Sequence, residues 1–404
     1  MKISAVWRNF VFFCLTFLFS AFGYEFMFFV MTVHIYDLSQ SVLNVSIFMV
    51  LSYIPKLFSP YLGAITDKFN KKNVFSIVTP LISLLVLILS FTSNIIVIYF
   101  IWFLISILLT LVVNIRSTLM SDVISNEKYS LGNTTTLVLA NTARLIAPLI
   151  GGSIVVILNI QILLIFTAII YIFTALFSCF IKLDGNVNSK AKNTDTASSS
   201  HSTIKEIVNY ILKNPSLLFL TILGCLWSLF LGFRISAYVG YVEGSLSSTK
   251  TYYGIFLTII GLSSIVGSIL GRFLSKFPSH KYSMVIGLSV HLISFALLGV
   301  VNNIVVAIIV VGISHLGLYA ALVGLHTLRD KSTSSAIRGR VYGLVTALLT
   351  PSTILSTLLA GVLSDVVGVR ILFLGGGILG LISLFLLILL LNFSRLKSQG
   401  LEHY

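Results

Sequence analysis

Between residues 10 and 35 the chain carries one charged side chain, Glu25, in an otherwise apolar run. A helix needs about 20 such residues to cross the hydrocarbon core of a bilayer. Polar or glycine-rich breaks divide the chain into twelve runs of this kind. Six precede Leu183, at about 10–35, 42–66, 74–92, 95–118, 133–158 and 160–182. Six follow Asn214, at about 215–241, 252–274, 282–300, 303–328, 338–364 and 369–393. Only 9% of the residues are charged and 57% are hydrophobic, with a mean hydropathy of +1.05. Soluble domains carry roughly 25% charged residues. A chain this apolar needs lipid as solvent. The first run is too long for the core of a cleaved signal peptide and is read as span 1.

The charges orient the spans. The net charge is +14, which in a soluble protein would suggest nucleic acid. Here the basic residues read as topology signals and as contacts to anionic lipid, and no nucleic-acid partner is expected. With the N-terminus inside, the outer loops hold only Lys250 and Arg370, and Lys56, Arg144 and Arg234 fall within spans. Every other one of the 26 basic residues faces the cytoplasm. Cytoplasmic loops retain Lys and Arg, so both termini are expected inside, and the number of spans is even. The expected location is the cell membrane, with many passes.

The one long polar stretch, Asp184 to Ser202, divides the spans six and six. It predicts three regions: a six-helix bundle over 1–182, a cytoplasmic linker over 183–213, and a second six-helix bundle over 214–404. Thr203 and Glu206 have capping-box spacing. Ile204, Ile207, Val208, Ile211 and Leu212 then recur at helical spacing. They predict a short amphipathic helix on the inner membrane surface, stopped by Pro215. The six-plus-six pattern suggests an internal duplication.

Cys14, Cys179 and Cys225 lie in apolar runs, with no paired spacing for a disulfide or a metal. Gly375, Gly377 and Gly380 match the spacing of a dinucleotide loop. They lie inside span 12 rather than between a strand and a helix, so they read as helix-packing glycines. No phosphate-binding loop, metal-ligand cluster or nucleophile–base set occurs within a span. No cofactor, metal or catalytic residue is expected.

Four charges lie within spans: Glu25, Lys56, Arg144 and Arg234. Intramembrane charges are costly and mark function by default. Glu25 reads either as a proton carrier or as the partner of Arg144 or Lys56. Arg144, roughly 16 Å into span 5 at 1.5 Å per residue, either binds an anionic group or pairs with Glu25. Lys56 and Arg234 line a cavity or snorkel to the rim. His315 joins a proton relay or packs as a neutral ring, as His291 does. Span 1 is rich in aromatics, including Tyr24, and span 7 adds Trp227. A subset facing a cavity would suit a bulky amphipathic ligand.

Two motifs carry a resemblance. Gly63-Ala-Ile-Thr-Asp67-Lys68-Phe-Asn70-Lys71-Lys72, between spans 2 and 3, resembles the loop signature of the major facilitator superfamily. Its glycine lets helices approach, and Asp67 with its bases would make breakable contacts at an inner gate. The second-half copy, Gly267 to Gly271-Arg272, lacks the acid. Ala147-Pro148-Leu-Ile-Gly151-Gly152 in span 5 is similar to a motif of exporters, and proline and glycine there break the helical ladder and allow close packing. Phe22-Gly23-Tyr24-Glu25, Pro55 with Pro60, Arg338-Gly-Arg-Val-Tyr-Gly343 and the segment Ala360 to Gly368 extend the likeness to macrolide-efflux-like exporters over nearly the whole chain. Tyr24 stands where that branch often has an acid, and Ile105 where drug antiporters have an arginine.

The resemblance implies an all-α fold of twelve transmembrane helices in two six-helix bundles. It implies a secondary transporter rather than an enzyme, working by alternating access around a cavity lined by helices 1, 2, 4, 5, 7, 8, 10 and 11. Glu25 would couple protons. Lys56, Arg144, Arg234, Tyr24, Trp227 and His315 would line the substrate cavity, whose charge balance favours a zwitterionic, neutral or anionic amphiphile. The implied activity is proton-coupled export of an amphipathic small molecule such as an antibiotic, by a monomer in contact with membrane lipid. Export of an endogenous siderophore or peptide antibiotic, lysophospholipid transport and import of an organic anion are the alternatives.

Overall fold

The computed structural model describes residues 2–59, 61–62, 71–123, 129–181, 204–274, 280–333 and 337–400. The gate-loop residues Gly63, Asp67 and Lys68 lie outside these, as does most of the polar linker. Every regular element among the described residues is helical. Six long helices form the first half: α1 (Lys2–Ser39), α2 (Val42–Leu57), α3 (Lys71–Leu89), α4 (Ile95–Val123), α5 (Tyr129–Ile154) and α6 (Ile160–Cys179). The second half holds α7 (Pro215–Ile235), α8 (Lys250–Leu274), α9 (His280–Leu298), α10 (Ile304–Lys331), α11 (Arg338–Val367) and α12 (Val369–Gly400). Ten of the twelve are long and apolar enough to cross a membrane, and Val42–Leu57 and Met284–Leu298 are shorter apolar segments.

The surface explains the composition. Ile77, Leu84, Phe100, Ile169, Ile286 and Leu379 are between 43% and 68% exposed. In water, a surface so rich in bare aliphatic side chains would drive aggregation. Against lipid tails it costs nothing.

Two boundaries differ from the hydropathy reading. The first helix of span 2 closes at Leu57, where the Phe58 amide turns back to the Pro55 carbonyl at 3.1 Å, and helical residues resume at Ser59, Tyr61 and Leu62. Pro55 has no N–H of its own for the ladder. Span 7 is interrupted at Ser236; a single turn over Ala237–Val239 runs into a π-helical turn over Gly240–Ser245. The helix of the linker forms at Ile204–Lys213, and Asn214 then caps α7 by accepting from the Leu217 amide at 3.2 Å. Pro215 occupies the first turn, where its missing N–H costs nothing.

The chain forms two compact units: Met1–Tyr210 with Thr249–Thr258, and Ile211–Ser248 with Ile259–Tyr404. In the first, α1 packs on α5 and α6, and α3 on α6 and α4. In the second, α7 packs on α11, and α9 on α12 and α10. Adding six to each number maps α1 on α5, α3 on α6 and α3 on α4 onto pairs of the second half. Small residues allow the closest approaches. A Cβ on Gly377 would lie 2.6 Å from the Ala296 Cβ, so this glycine of the rejected dinucleotide motif seats α12 on α9. In the first unit, Trp102 is fully buried on Phe48 and donates to Ser52 Oγ at 2.9 Å.

Candidate functional site

In the first unit the structure brings Glu25 and Arg144 together. Glu25 projects from the middle of α1 and Arg144 from the middle of α5. Arg144 Nε donates to Glu25 Oε1 at 3.3 Å, with the arginine side chain 53% exposed and the carboxylate 21%. The guanidinium is therefore half exposed beside a carboxylate that is largely covered. Lys56 on α2 lies over the Tyr53 ring, 5.0 Å from its centroid, and its charge reaches Glu25. Two bases thus face one acid. Tyr24 stacks at a tilt on Phe28. Gly23 lets α6 close behind the pair, since a Cβ there would lie 3.2 Å from the Tyr171 ring. The Tyr171 hydroxyl is buried and has no hydrogen-bond partner among the described residues.

The α5 motif lies one to two turns beyond Arg144. Pro148, Gly151 and Gly152 pack against α1 and the first turns of α8. A Cβ on Gly151 would lie 2.6 Å from the Phe29 ring, and one on Gly152 2.8 Å from the Gly254 Cα. Thr251 and Thr258 donate to the α5 carbonyls of Gly152 and Leu145 at 3.0 and 3.3 Å. Phe29 and Tyr253 stack with centroids 5.5 Å apart. At the same end Lys250 Nζ pairs with Asp37 Oδ2. Sequence reasoning missed this ion pair, which joins positions 213 residues apart.

Of the gate-loop residues, Lys71 and Lys72 open α3. Lys72 Nζ donates to the Cys179 carbonyl at 2.9 Å, at the helix end where carbonyls lack intrahelical partners and a cation is favoured. The glycines of the second-half copy seat α8 on α10: a Cβ on Gly267 or Gly271 would lie 2.6 or 2.7 Å from the carbonyls of Leu316 and Ala320.

In the second unit Arg234, Trp227 and His315 also converge, around a buried cation. Arg234 is only 4% exposed. Its NH1 lies 3.1 Å from His315 Nε2, and its guanidinium stands over Trp227, 5.1 Å from the ring centroid. His315 Nδ1 donates to the Val311 carbonyl at 2.9 Å. That bond leaves Nε2 as the acceptor for Arg234 and the ring neutral. His291 packs edge-on to Trp227 and bonds Ser314 Oγ at 2.7 Å. Arg234 therefore does not snorkel.

The profile of the Major Facilitator Superfamily matches residues 12–348. The chain belongs to the major facilitator superfamily. Solved structures agree in fold. The nucleoside transporter NupG superposes with a TM-score of 0.77 at 13% identity, covering 95% of this chain and 98% of its own. A bacterial homologue of the iron transporter ferroportin gives 0.73 at 14% identity, covering 94% and 98%. A peptide-bound POT family transporter gives 0.71 at 15% identity, covering 96% of each chain. No curated protein matches the chain in sequence. This superfamily protein is a multi-pass membrane protein with a transporter fold. Among its described residues no three His, Cys, Asp or Glu side chains gather as metal ligands.

Proposed function

We propose that this protein is a proton-coupled exporter of an amphipathic small molecule, with both termini in the cytoplasm of the cell membrane. The observation that carries the reading is the Glu25–Arg144 pair: an intramembrane carboxylate held 3.3 Å from a half-exposed guanidinium. Antiport requires that proton and substrate exclude one another. Glu25 meets that requirement when the substrate's cationic or hydroxyl donor takes the carboxylate that otherwise holds the proton. The substrate's anionic or acceptor end then meets Arg144, with Lys56 adding positive field. A zwitterionic amphiphile fits this set, and the aromatic rings around Tyr24 and Phe28 suit its apolar body. Alternating access would carry the site from one side of the membrane to the other. Lys71 and Lys72, with the loop before them, would work the inner gate.

The excess of two bases over one acid favours a second reading, import of an organic anion. An anion bound to Arg144 deprives Glu25 of its counter-ion, and a carboxylate so stripped takes up a proton. Substrate and proton would then travel together. Accumulation of a macrolide, a siderophore and a lysophospholipid in inside-out vesicles separates the readings. Export predicts accumulation of one of them that collapses with the proton gradient and in Glu25→Gln. If none accumulates under a proton gradient, the export reading falls.

A further inference from the structure

The second unit buries a cation and, among the described residues, gives it no counter-charge. Arg234 is 4% exposed, and its hydrogen-bonding partner is neutral, since His315 accepts through Nε2. Trp227 offers its ring face, and the Tyr238 hydroxyl stands beside the guanidinium. The described carboxylates of this unit are Glu243, Asp330 and Asp365, and none forms a salt bridge with Arg234. Asp330 accepts from Tyr342 at the far end of α10. A buried ion without a counter-ion is among the costliest features of a protein interior.

Two donors are also idle. Arg234 Nε is buried with no hydrogen-bond partner among the described residues, and so is the hydroxyl of Ser236, a fully buried residue. Both flank the point where α7 gives way to the single turn and the π-helical turn. A water molecule would satisfy the hydrogen bonds but not the charge. A second cation is excluded by the first, and a dianion would overcompensate a single positive charge among neutral rings. His315 holds one edge of the planar guanidinium and leaves the Nε edge free, the edge that takes a carboxylate side-on.

We propose that Arg234, with Ser236 and Tyr238, forms an anion-binding site inside the second unit that takes one monovalent anion. The shared chemistry is a single negative charge that accepts hydrogen bonds. A free halide and the carboxylate of an organic molecule both supply it.

The test is the thermal unfolding of purified full-length protein in detergent, at constant ionic strength, with bulky HEPES as the balancing anion. One series titrates chloride and the other butyrate. A bound anion raises Tm saturably. The site predicts a rise of about 1–3 °C at saturation, the range that the entropy of unfolding of a chain of this size leaves to a single bound anion. It predicts no rise in Arg234→Gln and a rise needing several-fold more anion in Arg234→Lys, which keeps the charge and loses the Nε edge. Ser236→Ala, which keeps the arginine, weakens anion binding in the same sense and serves if both arginine variants fail to fold. A rise with chloride assigns the site to a halide, and a rise with butyrate alone assigns it to an organic carboxylate. No saturable rise in the wild type overturns the proposal. So does an equal rise in Arg234→Gln or, where the arginine variants do not fold, in Ser236→Ala.

Discussion

Glu25 and Arg144 are 119 residues apart in the chain and share one hydrogen bond. A carboxylate in this position has two ways to be satisfied, a proton or a partner, and transport would use the switch between them. Glu25→Gln removes the titration while keeping the shape. Its transport should run only down the substrate's own gradient, a loss that a measurement of uptake against external pH would show as a flat profile. Arg144→Gln should raise KM by about tenfold, the equivalent of about 1.4 kcal/mol, with Arg144→Lys restoring part of it. These charges were legible in the sequence because an ion inside an apolar run stands out. The Asp37–Lys250 pair was not. Each of its members sits at a span end, where a charge is ordinary, and nothing local says which distant residue it meets.

Helices make the site through contacts that side-chain chemistry does not advertise. Gly152 and Gly254 meet backbone to backbone, and a Cβ on Gly254 would lie 2.5 Å from the Pro148 carbonyl. Gly152→Val and Gly254→Val must therefore push α5 and α8 apart. Overpacking of this kind costs about 1–3 kcal/mol, and the variants should lower Tm and abolish transport together. Gly343→Ala and Gly375→Ala meet nothing within 4 Å. They should leave transport intact and raise stability by up to about 1 kcal/mol through helix propensity. The glycines of span 5 were readable as packing residues from their pairing with Pro148, but their partner Gly254 was not. Span 7 shows a different limit. Its hydropathy runs on to residue 241, while the α-helix stops at Ile235. Hydropathy measures solubility in lipid and is blind to the change from α to π hydrogen bonding.

At the scale of the molecule, the repeated packing of α1 on α5 and α7 on α11 accords with two related six-helix halves. The even split of spans around one polar linker made that architecture readable. The distribution of basic residues predicts the orientation, which thiol labelling would check. In a protein lacking Cys14, Cys179 and Cys225, an impermeant reagent added to whole cells should modify Thr249→Cys and spare Asn209→Cys. The reverse pattern would turn the protein over and make the proposed exporter an importer. The central claim is that substrate and proton compete for Glu25, and proton counting tests it most directly. The compound that the vesicles accumulate is added to purified protein in weak buffer near the pH at which transport is half-maximal, and the solution pH is followed. Competition predicts acidification, approaching about half a proton released per protein where Glu25 starts half protonated, and none from Glu25→Gln. Alkalinisation would mean that substrate and proton bind together, and would contradict the exporter mechanism.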